Sequence, residues 1–177
     1  MPCIRAATQL DRASICTVHL RAFPESEAPI VAALASDLLK EETRPETFAL
    51  LAQIDGEVVG HVAFSPVTID ANPQFQGYIL APLGVLPEHQ KRRIGSKLVE
   101  TGIARLSKGR VNTLFVYGDP TYYGRFGFTA EAAADYLPPY ELQYPFGWLA
   151  IALDDEGATQ QRGKIACVAS LRDPALW

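Results

Sequence analysis

Residues 79–96, ILAPLGVLPEHQKRRIGS, hold the densest group of side chains in this chain that could do chemistry. Apolar residues through Val85 read as a strand and Pro87 makes a turn. Lys91, Arg92, Arg93 and Lys97 then surround Gly95 at the start of an apolar-periodic segment. That order builds an anion cradle. The first amides of a helix lack intrahelical acceptors, the dipole is positive there, and a glycine lets backbone come close to a ligand. Such a nest suits a pyrophosphate and predicts a phosphate-bearing cofactor, with a solvated basic helix start as the plainer alternative. Neither GxGxxG nor GxxxxGK[ST] occurs, so neither a nicotinamide cofactor nor ATP is indicated. No GxSxG elbow is present, and no three or four metal ligands share a recognised spacing, so no metal is expected. Cys16 and His19 form an i,i+3 pair, which on a packed helix is weak ground for a thiol catalyst.

The elements that must position this group follow from periodicity. Ile4 to Ala7 suits a short strand, and Asp11 is placed to cap a helix carrying Ile15, Val18 and His19 on one side. Pro29 opens a second helix with Ile30, Leu34, Leu38 and Leu39 along its stripe, and Glu41 to Pro45 ends it. Phe48 to Ile54 and Val58 to Phe64 flank Asp55-Gly56, which predicts an antiparallel hairpin. Its second arm can run past Pro66 into Val67 and Ile69 as an edge or interrupted strand. Asn72 to Gly77 reads as loop, Tyr78 to Val85 as strand and Ile94 to Lys108 as helix. Gly102 is there either a weak point or a close contact. Val111 to Tyr117 is the next strand, so strand, helix and strand imply a right-handed crossover between parallel neighbours. A brief helix at Tyr122 to Phe126 precedes Gly127, and the proline- and aromatic-rich run from Tyr136 to Phe146 wraps the surface. Trp148 to Leu153 and Ile165 to Ala169 read as a terminal hairpin. The expected fold class is α/β, a mixed sheet with helices on its faces.

At 177 residues the chain fits a single domain, 1–177, that buries roughly two-thirds of its unfolded surface. Three cysteines, an odd number without a close pair, suit apolar filling better than a disulfide framework. The net charge of −4 and a basic patch scaled to a few phosphates argue against nucleic acid as a partner. No stretch approaches the ~20 apolar residues of a membrane span, and no N-terminal basic region leads into an apolar run. A cytoplasmic location follows as the default.

LGVLPEHQKRRIGSKLVE is similar to the acyl-CoA binding motif of the GNAT superfamily of acyl-CoA N-acyltransferases, V-x-P-x-x-[QR]-x-x-G-x-[GA]. Val85, Pro87, Gln90 and Gly95 match it. YGDPTYYGRFGF resembles the later family pattern in which a tyrosine stands four residues before Gly-Phe, a place held here by Tyr123. The resemblance spans nearly the whole chain, most weakly in its tail. It implies a mostly antiparallel sheet that splays between the strand ending at Leu83 to Val85 and its neighbour ending near Tyr117. Acetyl-CoA is then the expected co-substrate. Main-chain groups of Leu83, Gly84 and Val85 line its pantetheine, and the segment Gln90, Lys91, Arg92, Arg93, Ile94, Gly95 and Ser96 holds the pyrophosphate. Arg92 or Lys97 can reach outward phosphate oxygens.

The resemblance also implies roles in catalysis. The Val85 amide polarises the thioester carbonyl, and Tyr123, protonated at neutral pH, donates to the departing sulfur. Tyr122 is its rival, and adjacent helical residues cannot point the same way. No acid lies on ILAPLGV, which leaves Asp119, His61 and Glu88 as candidate bases; a neutral amine needs only a water path. Arg93 departs from the pattern by replacing its first glycine. At right-handed angles it brings no backbone strain, although its β-carbon narrows the approach to phosphate and its guanidinium adds a charge-assisted contact. Phe23, Tyr136, Tyr140, Tyr144, Phe146 and Trp148 are candidates for the acceptor side, more than half of them expected to be structural. Glu25, Glu27 and Glu141 are placed to attract a cationic amine. The function implied is N-acetyl transfer to a primary amine of a small molecule or protein. Transfer of another acyl group and a non-catalytic acyl-CoA sensor or interaction module are the alternatives. An exposed late strand or aromatic loop also suits a homodimer.

Overall fold

In a computed structural model that describes residues 1–70, 72–154 and 162–177, the hydrophobic alternation read above becomes a central sheet. Its strands are β1 (Cys3–Ala6), β2 (Phe48–Ile54), β3 (Glu57–Ile69), β4 (Asn72–Val85), β5 (Thr113–Tyr117) and β7 (Trp148–Ala152), in the order β1-β2-β3-β4-β5-β7. All neighbours are antiparallel except β4 and β5. Two short strands, β6 (Tyr136–Leu137) and β8 (Gly163–Ala166), pair with each other, and β8 also pairs with the far end of β3.

Alternate residues of each strand bury on opposite faces. Leu50, Val62, Leu80 and Val116 face α3 (Ile94–Ser107), which contributes Leu98 and Val99. Ala49, Ala63, Ile79 and Phe115 face the side of α2 (Ala28–Leu38), which contributes Leu34 and Leu38. The preceding helix, α1 (Arg12–Ala22), packs beside α2 and joins it through Ile15, Ala35 and Leu51. Gly102 is a close contact: a β-carbon there would lie 2.0 Å from Phe64 Cζ, so the missing side chain sets how near α3 sits to the sheet.

The hairpin at Asp55-Gly56 forms with both residues at positive φ, 51° and 83°, the turn that matches strand twist. Four sequence expectations are corrected. Residues 72–77 are strand, because β3 supplies their hydrogen bonds and Phe75 buries a side chain among otherwise polar neighbours. β3 is internal and continuous through Pro66. The proline falls between β2, whose pairing ends at Phe64, and β8, whose pairing begins at Thr68. β7 and β8 do not pair as a terminal hairpin: β7 lies on β5 and β8 on β3 and β6, while residues 155–161, within the turn expected between Leu153 and Ile165, lie outside the described residues. Asp11 precedes α1, but its carboxylate accepts from Arg5 (2.6 and 2.9 Å) and the Thr8 amide (2.8 Å) instead of capping that helix. Among the described residues no helix is long and apolar enough to cross a membrane.

Candidate active site

The crossover from β4 through α3 to β5 creates an opening. β4 and β5 pair only from Gly77–Thr113 to Leu80–Val116. Beyond that point β4 continues along β3, with Leu83 opposite Val62 and Val85 opposite Gly60, while the other chain turns away after Tyr117. The β5-side edge of Leu83 to Val85 is therefore unpaired by any described strand. Leu86 N–H donates to Val59 O at 2.9 Å. By strand alternation, Val85 directs its own amide away from β3 and into the opening.

At the end of β4 the chain makes a turn held by Gln90, whose side-chain amide donates to Val85 O at 3.1 Å. Lys91 (φ 61°) and Arg93 (φ 62°) are left-handed with Arg92 between them at negative φ, and α3 begins at Ile94. The amides of residues 91–96 donate to no described acceptor. Successive inward N–H groups of this kind, at the start of a fourteen-residue helix, form an anion nest. The right-handed arginine read at position 93 is thus corrected. A side chain at these angles costs about 1–2 kcal/mol, which explains why glycine suits the place.

A cavity of about 600 Å³ covers this nest, lined by Leu83, Gly84, Val85, Gln90, Lys91, Arg93, Ile94, Gly95 and Ser96. It also takes in His89, Thr121, Tyr122 and Arg125, none of them singled out by sequence as cofactor ligands. Arg92 and Lys97 do not line it; the Arg92 guanidinium lies 3.0 Å from His89 Nδ1. A β-carbon on Gly95 would stand 2.6 Å from the Tyr122 hydroxyl oxygen, so this glycine makes room for a tyrosine as well as for a ligand. Arg125 stacks over Tyr122, 4.4 Å from the ring centre, and Arg125 with its proximity to Tyr123 was the signal available in the sequence.

The two adjacent tyrosines separate as their helical spacing predicts. They lie on α4 (Pro120–Tyr123), with rings 4.9 Å apart and at 83°. Tyr122 faces the nest. Tyr123 lines a second cavity of about 320 Å³ between Ile79–Leu83 of β4 and Tyr117–Gly118 at the end of β5. Burial pushes the Tyr123 hydroxyl well above its ordinary pKa, with the Tyr122 hydroxyl adding to the shift, and so holds it as a neutral donor.

Of the three candidate bases, only Asp119 lines the opening. It is exposed, caps α4 by accepting the Thr121 amide at 2.9 Å, and borders both the nest cavity and the cleft beyond Tyr117. Glu88 instead pairs with Arg21 through both carboxylate oxygens, at 2.9 and 3.1 Å. His61 is fully buried against α1, its Nδ1 2.8 Å from His19 Nε2, and lines neither the nest cavity nor the two cavities beside it.

The cleft beyond Tyr117 encloses about 560 Å³. Phe23, Glu27, Tyr144 and Phe146 line it as the sequence allowed, joined by Ile30, Tyr117 and Trp177, which were not expected on the acceptor side. Tyr136 and Trp148 are core residues linked by a Trp148 Nε1–H bond to Tyr136 O, and Tyr140 donates to Arg172 O. Glu25 and Glu141 lie outside the cleft.

Parallel strands opened in this way, with the intervening helix starting in an anion nest, are the architecture of the acyl-CoA N-acyltransferases that both motifs resemble. Residues 13–128 match the model of the Acetyltransferase (GNAT) family, and the chain belongs to that family. It is 37% identical over 162 residues to the uncharacterized N-acetyltransferase YjhQ of Escherichia coli K12, covering 89% of this chain and 87% of that one. The fold matches the GNAT family N-acetyltransferase YhbS from Escherichia coli in complex with CoA at a TM-score of 0.81, with 26% identity and coverage of 97% and 92%. It also matches a GNAT family acetyltransferase from Brucella melitensis in complex with acetyl-CoA at a TM-score of 0.70, with 31% identity and coverage of 96% and 97%.

Proposed function

We propose that this protein transfers the acetyl group of acetyl-CoA directly to a primary amine. The observation that carries the proposal is the unpaired edge from Leu83 to Val85, which runs from the amide nest at residues 91–96 to the cavity holding Tyr123. A pantetheine arm can add to that edge as a strand does, pairing with main-chain groups of Leu83 and Val85. The nest then receives the pyrophosphate, with Lys91 and Arg93 beside it. The CoA and acetyl-CoA held by the two structural relatives support this reading.

The amine lone pair attacks the thioester carbonyl carbon, and negative charge develops on oxygen, where the inward Val85 amide donates to it. As the C–S bond breaks, the Tyr123 hydroxyl passes its proton to sulfur. The nitrogen gives up its extra proton to Asp119 directly or through water, Asp119 releases that proton to solvent, and solvent restores the proton of Tyr123. The products are an N-acetyl amine and free CoA.

Incubation with acetyl-CoA and a broad amine panel, read by mass spectrometry, should yield acetylated amine and free CoA in equal amounts. Calorimetric binding of acetyl-CoA with no product from any amine would overturn transfer in favour of an acyl-CoA sensor.

A further inference from the structure

We infer that the acceptor is an arylalkylamine, a primary amine on a short alkyl chain that ends in an aromatic ring. This rests on the transfer reading above and adds the chemistry of the acceptor. We take the two adjoining cavities on the acceptor side as one passage: Phe23, Val31, Tyr117, Gly118, Leu176 and Trp177 line both. The inner chamber ends on Leu83 and Tyr123 and has no charged side chain among its lining residues. The outer cleft has two, Glu27 and Asp119, and both are acidic.

The three parts of an arylalkylamine fit three parts of this passage. Its amine reaches the inner end of the chamber, at Leu83 and Tyr123. Asp119 and Glu27 draw in the ammonium form, and the apolar inner walls favour the neutral form that attacks. Its alkyl chain crosses the inner chamber, which has no charged side chain to hold a second cation. Its ring enters the outer cleft, where Tyr117 and Trp177 are stacked 6.2 Å apart at 12°. That wall is fixed. Tyr144 N–H donates to the Tyr117 hydroxyl at 3.0 Å, and Trp177 Nε1–H donates to Leu171 O at 3.0 Å. Phe146 stands at the rim 66% exposed, its ring 5.8 Å from that of Tyr144, with apolar surface for a ligand to cover. A polyamine or aminosugar carries further cations than two carboxylates can meet. A lysine side chain brings no ring to the cleft.

The test compares kcat/KM at fixed acetyl-CoA for 2-phenylethylamine, tryptamine, hexylamine, spermidine and a lysine-containing peptide. It is paired with quenching of the protein's tryptophan fluorescence by 2-phenylethylamine alone. Both arylalkylamines should exceed each of the other amines by about tenfold or more, the scale of one well-seated ring. Phe146→Ala, at an exposed position, should raise the KM for 2-phenylethylamine about tenfold and leave that for acetyl-CoA near wild type. A preference for spermidine, hexylamine or the peptide, or an unchanged preference in Phe146→Ala, overturns the acceptor class and leaves transfer standing. Saturable quenching that Phe146→Ala weakens, with no amine acetylated, upholds the ligand class and overturns transfer. Absence of both quenching and product overturns both.

Discussion

Arg93 combines a favourable charge with an unfavourable backbone, and substitution separates the two. Arg93→Ala and Arg93→Gly both remove the guanidinium, but only glycine relieves the positive φ of 62°. The glycine variant should be more stable than the alanine variant by about 1 kcal/mol in urea unfolding, after glycine's own entropy cost is set against the strain removed. If the guanidinium contributes to phosphate binding, both variants should bind acetyl-CoA more weakly than wild type by calorimetry; equal affinities would leave Arg93 with no electrostatic part. The tyrosines allow a second comparison. Tyr123→Phe should lower kcat by about a hundredfold or more, the range of a lost general acid, while Tyr122→Phe should act mainly on the KM for acetyl-CoA. Normal turnover in Tyr123→Phe would remove its acid role. Because burial raises the Tyr123 pKa, its donating form persists as pH rises, and kcat should show no alkaline fall up to about pH 10. A fall below that pH, abolished in Tyr123→Phe, would contradict the raised value. The place of Tyr123 was legible because a four-residue spacing to Gly-Phe belongs to a recognisable motif. The left-handed turn at Arg93 was not, because arginine gives no sign of positive φ.

Between α1 and β3, His19 and His61 form a buried clasp with Nε2 and Nδ1 2.8 Å apart. Burial pushes His19 down to about 4 and His61 well below its ordinary value, with the neighbouring histidine adding to the second shift. Both are therefore neutral in the folded chain at pH values where the unfolded chain has begun to protonate them. The sign follows: stability is full above about pH 6.5 and is lost as pH falls toward 4. The slope in that window should be on the order of 1.4 kcal/mol per pH unit for each histidine. Urea unfolding across it should show this slope in wild type and lose it in a His19→Leu, His61→Leu double variant; an unchanged slope would place the acid sensitivity elsewhere. The role of His19 at this contact was hidden in the sequence, although its position on the buried side of α1 was not. Elements whose own periodicity defines them, such as the hairpin at Asp55-Gly56 and the helix from Ile94, were legible. Residues 72–77 were not, because their mostly polar side chains carry no alternation and they become strand only by folding back on the end of β3. Ile165 was read as strand, but its pairing with β3 was not legible, because no local pattern reveals a partner so distant in sequence.

Across the whole molecule, the opening is also the place where the sheet parts, since β4 and β5 share four register pairs and then separate. A ligand lying there touches the end of β4, the start of α3 and the residues around α4 at once. The cofactor side was legible in the sequence because one continuous segment, 83–96, supplies most of it. The acceptor side was only partly so, since Phe23, Tyr117, Phe146 and Trp177 meet through folding alone. This geometry has a thermodynamic consequence. Acetyl-CoA that binds only the folded chain should stabilise it by about 2.7 kcal/mol at a hundred times its Kd. For a chain of this length that corresponds to roughly 5–10 °C in Tm. S-acetyl-N-acetylcysteamine carries the thioester and part of the arm but no phosphate, so it cannot reach the amides of residues 91–96. At the same concentration in a thermal-shift measurement it should move Tm by less than about 1 °C, because little of it is bound. An equal shift from both compounds would mean that the binding energy lies along the strand edge, and the anion nest at the start of α3 would no longer be the main source of affinity.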